Sequence, residues 1–524
     1  MEKTKNFLKN NILDCIIIVI FIVLAVFMSQ YHEYWSDEAQ SWLIARDCSV
    51  SEILKVTKYE GTPCWWVLII KVFMVFGLTY EYFYVIPIVF MALGLLFVFK
   101  KFDFPWYMKV LFPFTYYIFF QNTMIARSYS LVLLGFAMTY YYFQNREKSM
   151  FKYILSSLFL MGQSLFTYGM SGAFYILQIV NLIRRRKEID ERFKKNEIIS
   201  IIVLTIAFLL IFIMILPTMD IGSGGIGGRD PLYVIGETTI SNDSFILDII
   251  GTIIFVGIYV FLYFKQEKEK RLDYLLELLI YAPVLLIYII IQGHIRYFGI
   301  LFIIMFLHLI KYKNYKIIKA YLIILLLVHV FWNFSNCKLE KTEIYSSGEE
   351  IANFIKALDY KNKTIDTIYY HSVAVSPYFE ENIYKSSLKT DKSFYLWSIE
   401  NGYAPIEEIV ENKSNIYVIP LICNRADDDT VYAQINNCSK LYEFMKNANL
   451  DDYYFYVFES HIIHKGKINE KDQYLVIVDK KTNEEVLSKG LEAKLETRIY
   501  ELENYEGEIE SFDMKQINSK WYEK

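Results

Sequence analysis

Two adjacent carboxylates, Asp37 and Glu38, lie between Trp35 and Trp42 and directly follow an apolar run, Cys15 to Met28. That run is long enough to enter or cross a bilayer. Tryptophan prefers the headgroup level, so the carboxylates are predicted at the rim of a membrane, facing water or a cavity. There they could serve as general base and orienter for a hydroxyl or amine. The alternative is a solvated loop that ends a membrane helix.

Two arginines could supply the positive charge that complements these carboxylates. Arg127 follows Gln121 and Asn122, and Arg296 lies in the stretch His294–Tyr297. Guanidinium groups are planar donors that suit bidentate binding of phosphate. A base and two arginines at a lipid-accessible groove would fit transfer of a group from a lipid phosphate to an acceptor. A headgroup contact or a structural ion pair is the alternative at each arginine.

The composition indicates a membrane protein. The chain has 524 residues, of which 54% are hydrophobic and 18% aromatic, and its mean hydropathy is +0.26. The net charge of -4 does not indicate a nucleic-acid partner. The six cysteines show no metal-ligand spacing. They are predicted as free thiols, with Cys48–Cys64 and Cys423–Cys438 as the alternative pairs under oxidation.

Basic clusters beside the apolar runs predict the topology, because lysine and arginine concentrate in cytoplasmic loops. The expected fold is a polytopic α-helical membrane protein with about eleven spans, anchored in a cell membrane with its amino terminus cytoplasmic. Residues 1–335 form the membrane domain, and residues 336–524 form an extracytoplasmic α/β domain. The predicted spans are about 15–29, 80–99, 106–124, 128–143, 151–168, 170–183, 198–216, 245–264, 274–291, 297–310 and 317–334.

This topology places Asp37, Arg127 and Arg296 on one outer face, and Glu60 falls in the same outer loop as Asp37, residues 30–79. Trp65–Phe76 in that loop has 12 residues, fewer than the roughly 20 that a crossing needs. It is predicted to be a re-entrant or interfacial helix. The alternative is a twelfth span with inverted topology downstream.

Two further regions lie outside the predicted spans. The glycine-rich loop Pro217 to Ser244 is predicted to be mobile, either as a lid over substrate or as a plain linker. In the last third of the chain, strands are predicted near 364–370, 415–421, 453–458 and 474–478, with helices near 347–358 and 431–447. The histidines there, His371, His461 and His464, lack the spacing of a zinc or nucleophilic site and are predicted at the surface.

Three stretches carry a family resemblance: Trp35–Ala39 (Trp-Ser-Asp-Glu-Ala), Tyr59–Pro63 and Ala126–Leu131 (Ala-Arg-Ser-Tyr-Ser-Leu), with Arg296-Tyr297 as a later Arg-Tyr. Over residues 10–335 the chain resembles the GT-C superfamily of integral-membrane glycosyltransferases. It is most similar to the protein O-mannosyltransferase and lipid A aminoarabinose transferase branch. Many relatives carry His-Pro-Pro where this chain has Gly61-Thr62-Pro63, which leaves the acceptor side open.

The resemblance implies transfer of one sugar from a polyprenyl-phosphate donor to an envelope glycan, lipid or protein acceptor on the non-cytoplasmic face. Asp37 would be the acceptor base, with Glu38 beside it, and Arg127 and Arg296 would bind the lipid phosphate. The remaining predicted substrate-binding residues are Tyr129, His294, Tyr297 and Glu60. No metal ligand set is predicted. A divalent cation stays open, because some relatives bind one with carboxylates. The alternatives are a transporter or flippase for a lipid-linked intermediate, and a membrane anchor for the outer domain.

Overall fold

The computed structural model is a bundle of helices followed by a smaller domain built on a sheet. It describes residues 2–187, 190–216, 229–290, 295–368, 370–388, 390–398, 402, 404–427, 430–433, 444, 447, 453–491, 495–503 and 509–517. His294, Cys438 and most of the helix predicted near 431–447 therefore lie outside the described residues.

Sixteen helices precede the carboxy-terminal domain within the described residues. They are α1 (Glu2–Ser29), α2 (Ser36–Asp47), α3 (Val50–Glu60), α4 (Trp65–Val75), α5 (Val85–Lys101), α6 (Trp106–Leu111), α7 (Val132–Gln144), α8 (Arg146–Met161), α9 (Leu165–Arg185), α10 (Glu191–Ile215), α11 (Pro231–Thr239), α12 (Phe245–Lys265), α13 (Arg271–Glu277), α14 (Ala282–Ile290), α15 (Phe298–Leu309) and α16 (Lys316–Glu340).

Seven helical segments in the described part are long and apolar enough to cross a membrane. They are Ile12–Ser29, Tyr80–Lys101, Leu165–Arg185, Glu191–Ile215, Phe245–Lys265, Lys268–Ile290 and Lys316–Glu340. Large apolar side chains on these segments face outward; on α10 they include Ile206, Leu209 and Ile213. Such continuous apolar surface needs lipid or protein cover, which agrees with a multi-pass membrane protein. Helical structure is present at all eleven predicted positions, but the count of eleven crossings stays a prediction.

The predicted span 106–124 is not one continuous helix. α6 ends at Leu111, a short 3₁₀ turn contains Pro113, and a π-helical turn covers Tyr117–Met124. Proline lacks the N–H that would continue the helical hydrogen bonds, which explains the break. The π-helical turn is wholly buried, and it carries the chain directly to Arg127.

The first loop is structured, as predicted. α2, α3 and α4 pack together, and Lys71 on α4 donates to the carbonyls of Ala45 and Cys48 at 2.9 and 2.6 Å. The indole of Trp65 donates to the carbonyl of Leu158 at 3.1 Å, which ties α4 to the end of α8. With 11 residues, α4 is about 16 Å long, too short for a crossing. Its position relative to a bilayer stays a prediction.

The loop predicted over Pro217 to Ser244 is helical in its second half. α11 begins at Pro231, after Asp230 accepts a hydrogen bond from the backbone of Leu232 at 2.7 Å. Proline favours the first turn of a helix, and aspartate caps it, so these two residues start α11. The prediction of a structureless loop is wrong for these residues. The glycine-rich part, 217–228, lies outside the described residues.

The carboxy-terminal domain contains one sheet of seven strands within the described part of the chain. Pairing runs from β2 through β3, β6, β7, β4 and β5 back to β2, and β1 lies parallel to β2. The strands are β1 (Ile365–Thr367), β2 (Ile416–Asp427), β3 (Thr430–Ala433), β4 (Tyr453–His464), β5 (Lys467–Asp479), β6 (Leu495–Glu503) and β7 (Ile509–Ile517). The helices are α17 (Gly348–Ala357), α18 (Lys385–Leu388), α19 (Ile406–Glu411) and α20 (Lys480–Ser488).

All four strands predicted from sequence are present, as is the helix near 347–358; β3, β6 and β7 were not predicted. The segment predicted as a strand over 364–370 is extended only at Ile365–Thr367 and then becomes a 3₁₀ turn, Tyr370–Ala374. This turn is important because it leaves the sheet and reaches the helical bundle. Its Tyr370 hydroxyl contacts α2.

The turn between β4 and β5 also enters the bundle. Lys465 is fully buried and pairs with Glu237 of α11 at 2.5 Å, and the amide of Gly466 donates to Asn336 on α16. Next to this turn, His464 contacts the hydroxyl of Tyr116 at 2.8 Å. The prediction of surface histidines is therefore wrong: His461 and His464 are buried because their strand packs against the bundle, and His371 is half-buried.

Candidate functional site

Asp37 is the centre of a four-residue polar cluster drawn from separate parts of the chain. Its Oδ2 pairs with the guanidinium of Arg127 at 3.1 Å and with that of Arg296 at 2.5 Å. Its Oδ1 accepts a hydrogen bond from the hydroxyl of Tyr370 at 2.8 Å. The predicted carboxylate and both predicted arginines therefore meet at one point, joined by a tyrosine from the carboxy-terminal domain.

Local structure positions each member of the cluster. Asp37 lies in the first turn of α2, which begins after the extended residue Trp35. Arg127 is the extended residue between the π-helical turn and a 3₁₀ turn, Ser128–Leu131. Arg296 lies in the short 3₁₀ turn just before α15. The three side chains are 15–24% exposed, so they border an opening rather than a sealed core.

Glu38 lies beneath this cluster and is completely buried. Its carboxylate accepts hydrogen bonds from the backbone amides of Trp35 at 3.1 Å and Ala126 at 2.5 Å. The first bond caps α2, and the second fixes the residue next to Arg127. These contacts give Glu38 a positioning role toward Asp37 and Arg127. Its predicted catalytic role stays a prediction.

His32 holds the other side of Glu38. One ring nitrogen lies 3.3 Å from Glu38, and the other lies 2.5 Å from Glu340 at the end of α16. Burial acts to lower the pKa of His32, but the two carboxylates outweigh it and raise the pKa to about 10. A protonated imidazole between two carboxylates balances buried charges that would be costly on their own.

Aromatic rings flank both arginines. The Arg296 guanidinium lies 5.1 Å from the ring centre of Trp35 and 5.3 Å from that of Tyr297. Arg127 lies 5.9 Å from the ring centre of Tyr129, which packs edge-on against Tyr297 at 5.2 Å. The predicted residues Tyr129 and Tyr297 therefore belong to the same site, where the rings hold the guanidinium groups in place.

Several donors in this wall have no hydrogen-bond partner among the described residues. They are Nε of Arg296, Nε1 of Trp35 and the hydroxyl of Tyr129. Buried donors are nearly always paired in folded proteins, so these three unpaired donors indicate a place for an acceptor that the described residues do not supply.

The charges of the cluster do not cancel. Burial acts to raise the pKa of Asp37, but Arg127 and Arg296 outweigh it and hold the pKa well below its usual range. Asp37 therefore carries one negative charge between two permanent positive charges. The remaining positive charge suits an anion, and arginine is well matched to phosphate.

Glu60, the last residue of α3, is a second carboxylate on the same side of α2. Its Oε1 accepts a hydrogen bond from the Gln40 amide at 2.9 Å. The same amide donates to the carbonyl of Tyr395 at 2.6 Å, and its oxygen accepts from the Tyr395 amide at 3.0 Å. Burial raises the pKa of Glu60 to about 7, although the hydrogen bond from Gln40 and the charge of Arg127 act to lower it.

The carboxy-terminal domain supplies an aromatic wall beside these carboxylates. Tyr370 lies 4.6 Å from Trp397 between ring centres, and Tyr395 lies 4.9 Å from the same tryptophan. His371 contacts the hydroxyl of Ser36 at 2.9 Å, and burial lowers its pKa to about 4, so its ring is neutral. None of these residues was predicted as part of the site. No motif marks them, because their contribution depends on how the two domains dock.

Of the eight predicted site residues, the structure brings Asp37, Arg127, Arg296, Tyr129 and Tyr297 together, and it places Glu60 on the Gln40 side of α2 and Glu38 below. His294 lies outside the described residues. Within the described part of the chain, no three histidine, cysteine, aspartate or glutamate side chains are arranged to hold a metal ion. Cys48 and Cys64, one of the alternative pairs, are both free thiols.

Comparison with known proteins returns no match: no family model, no curated protein sequence and no solved structure is similar to the chain. The resemblance to GT-C glycosyltransferases rests on the quoted residues alone. The activity that it implies is therefore a proposal.

Proposed function

We propose that this protein is a membrane glycosyltransferase that moves a sugar from a polyprenyl-phosphate donor to an acceptor at the non-cytoplasmic face. The single observation that carries the proposal is the meeting of Asp37, Arg127 and Arg296 at one partly open point. These three residues come from distant stretches of the chain, and the two arginines outnumber the carboxylate.

The first supporting argument is anion binding. Two guanidinium groups that share one carboxylate keep a positive charge, and unpaired donors on Arg296, Trp35 and Tyr129 lie around them. A phosphate monoester or diester presents several oxygens that could accept from these donors. Hydrogen bonds to charged groups each contribute roughly 1.5–3 kcal/mol, so such a site would bind phosphate selectively.

The second argument is access for a lipid. α1 exposes Val23, Leu24 and Phe27 in its last turns, a few residues before Trp35. A polyprenyl chain lying against this apolar surface would bring its phosphate to the level of Trp35, at the headgroup region where tryptophan concentrates. The proposed donor therefore matches both the charged site and the apolar surface beside it.

The third argument is the chemistry of the leaving group. In the proposed reaction, the bond between the sugar's anomeric carbon and the phosphate oxygen breaks, and the electron pair stays on that oxygen. Arg127 and Arg296 would stabilise the negative charge that develops there. Asp37 aligns both guanidinium groups for this task, since it pairs with both through one oxygen.

The proposal is tested by measuring how purified full-length protein, in nanodiscs of uncharged lipid, binds a polyprenyl phosphate. We expect Arg127→Lys and Arg296→Lys to weaken binding about tenfold each, because lysine loses the planar pair of donors. Arg184→Lys is the matched control, since Arg184 pairs with Asp273 outside the site. Equal affinity of all four proteins would contradict the proposal.

A comparison of cell-envelope glycans from cells with and without the gene tests the transfer itself. We expect one glycan signal to require the intact chain and to disappear with Arg296→Lys while the protein stays in the membrane. An envelope that is identical with and without the gene, together with vectorial movement of a lipid-linked sugar, would favour the transporter alternative.

A further inference from the structure

Asp37 and Glu60 are both carboxylates near the proposed reaction, but their surroundings differ in kind. Both oxygens of Asp37 already accept: one from Arg127 and Arg296, the other from Tyr370. Two adjacent positive charges stabilise its ionised form and make it a weak base. Its geometry suits alignment of the arginines better than removal of a proton.

The carboxylate of Glu60 is bound by a neutral group, unlike that of Asp37, which is bound by two arginines. Within the described residues, its carboxylate contacts one hydrogen-bond donor, the Gln40 amide, and its side chain is partly exposed. Gly61 follows in the left-handed conformation at φ 62°, so α3 ends here and Glu60 lies at the carboxyl end of the helix. The partial negative charge of a helix carboxyl end favours proton uptake by a neighbouring carboxylate.

The backbone of Tyr395 fixes the orientation of the Gln40 side chain. The backbone of Tyr395 accepts from the Gln40 nitrogen and donates to its oxygen, which determines which end of the amide faces Glu60. A carboxylate oriented by a second group, itself held by the backbone of another domain, is the arrangement expected of a positioned base.

We infer that Glu60, rather than Asp37, accepts the proton of the acceptor in the proposed transfer, with Gln40 as the residue that positions it. The inference rests on the proposed function. The acceptor loses a proton from its hydroxyl or amine to the Glu60 carboxylate, and its oxygen or nitrogen forms a bond to the anomeric carbon. The carbon–oxygen bond to the phosphate breaks, polyprenyl phosphate leaves with the electron pair, and Glu60 then releases its proton to water.

The titration of Glu60 agrees with this assignment. Its pKa of about 7 leaves a substantial ionised fraction at neutral pH and makes proton transfer favourable, which a general base requires. The charged and titratable groups that interact with it are Asp37, Arg127 and Tyr370. Two carboxylates whose pKa values are driven apart by their surroundings are typical of divided roles in catalysis.

The experiment uses membranes from cells that express the full chain, which supply donor and acceptor, and follows the chain-dependent glycan signal from pH 5.5 to 8.5. For the wild type we expect the rate to fall about tenfold per pH unit below about pH 7, because the protonated carboxyl cannot act as base. Glu60→Gln should lower the rate by roughly 10²–10⁴-fold and remove this acid limb. Glu60→Asp should retain the limb at a reduced rate.

Binding of polyprenyl phosphate separates this role from a structural one. Glu60→Gln should bind the phosphate within about twofold of the wild type, since the described residues show no ion pair between Glu60 and either arginine, both of which pair with Asp37. Asp37→Asn should instead change this affinity, because it removes the group that aligns both arginines. Gln40→Glu should move the acid limb to higher pH by adding a like charge beside Glu60.

Three results would overturn the inference. Glu60→Gln with wild-type transfer and an unchanged acid limb would exclude Glu60 as the base. Asp37→Asn that lowers the transfer rate by roughly 10²–10⁴-fold and removes the acid limb, while leaving phosphate binding unchanged, would return the role to Asp37. A wild-type protein that binds no polyprenyl phosphate and changes no glycan would overturn the proposed function itself, a failure visible before any Glu60 variant is made.

Discussion

Two ion clusters of this protein, one buried and one partly open, differ in how completely they are paired. In the Lys465 socket, the ammonium donates to the carboxylate and carbonyl of Glu237 and to the carbonyl of Ser241. The positive charge of Lys465 is balanced by the negative charge of Glu237, and all three N–H groups of the ammonium have acceptors. In the Asp37 cluster, two guanidinium groups share one carboxylate, and neighbouring donors have no partner within the described residues.

The difference separates a structural contact from a binding site. A fully paired buried cluster has nothing left to offer a ligand, and breaking it leaves an uncompensated charge. A cluster with surplus charge and unpaired donors is poorly satisfied on its own and gains from a bound anion. The Lys465 socket is therefore a structural contact between the domains, and the Asp37 cluster is the proposed substrate-binding site.

The largest expected effect comes from breaking the contact between Lys465 and Glu237, which joins the two domains. Lys465→Met leaves Glu237 buried without its partner and should lower the free energy of unfolding by about 3–5 kcal/mol. The control is Lys467→Met, two residues further along at the start of β5, where the side chain is exposed. Thermal unfolding in detergent measures both. Equal midpoints for the two variants would show that the socket contributes little to docking.

His32 is a second buried group that is paired on both sides, and its contribution to stability depends on pH. Its folded pKa of about 10 lies above the unfolded value of 6.5, so its stabilisation is complete below pH 6.5 and is lost as the pH rises toward 10. Between pH 6 and pH 9 the loss is on the order of 3 kcal/mol. In the wild type, the thermal midpoint should be lower at pH 9 than at pH 6. In His32→Gln, the two midpoints should lie closer together. A parallel fall in both proteins would contradict this assignment.

The smallest expected effect concerns a single unpaired hydroxyl. Tyr129→Phe removes a donor that has no partner in the described part of the structure, so stability should change little while phosphate affinity falls about 2- to 10-fold. Tyr288→Phe is the contrasting variant, because its hydroxyl donates to the carbonyl of Tyr297. It should lose stability. Tyr129→Phe with unchanged phosphate affinity would remove this hydroxyl from the site.

The sequence predicted the Asp37 cluster because its members have unusual positions for their charge. A carboxylate pair at the end of an apolar run, and arginines on the face that the charge pattern predicts to be non-cytoplasmic, each stand out locally. The positions of the helices could likewise be predicted from the lengths of the apolar runs. Both kinds of signal are contained in a few neighbouring residues.

The contributions of the carboxy-terminal domain could not be predicted in this way. Tyr370 and Tyr395 reach the site only because the sheet domain docks on the bundle, and the pairing of Lys465 with Glu237 joins residues 228 positions apart. Gln40 directly follows the Trp35–Ala39 stretch, but nothing in the sequence pairs it with Glu60. Its role becomes visible only when Glu60 and the Tyr395 backbone lie on either side of its amide.

The most direct test of the central claim compares two lipids that differ only in charge. Purified wild-type protein in nanodiscs of uncharged lipid is titrated with a polyprenyl phosphate and with the polyprenol of the same length. If Arg127 and Arg296 form a phosphate site, the phosphate should bind about 10- to 100-fold more tightly, and the difference should vanish in the Arg127→Ala, Arg296→Ala double variant. Equal binding of the two lipids by the wild type would contradict the claim.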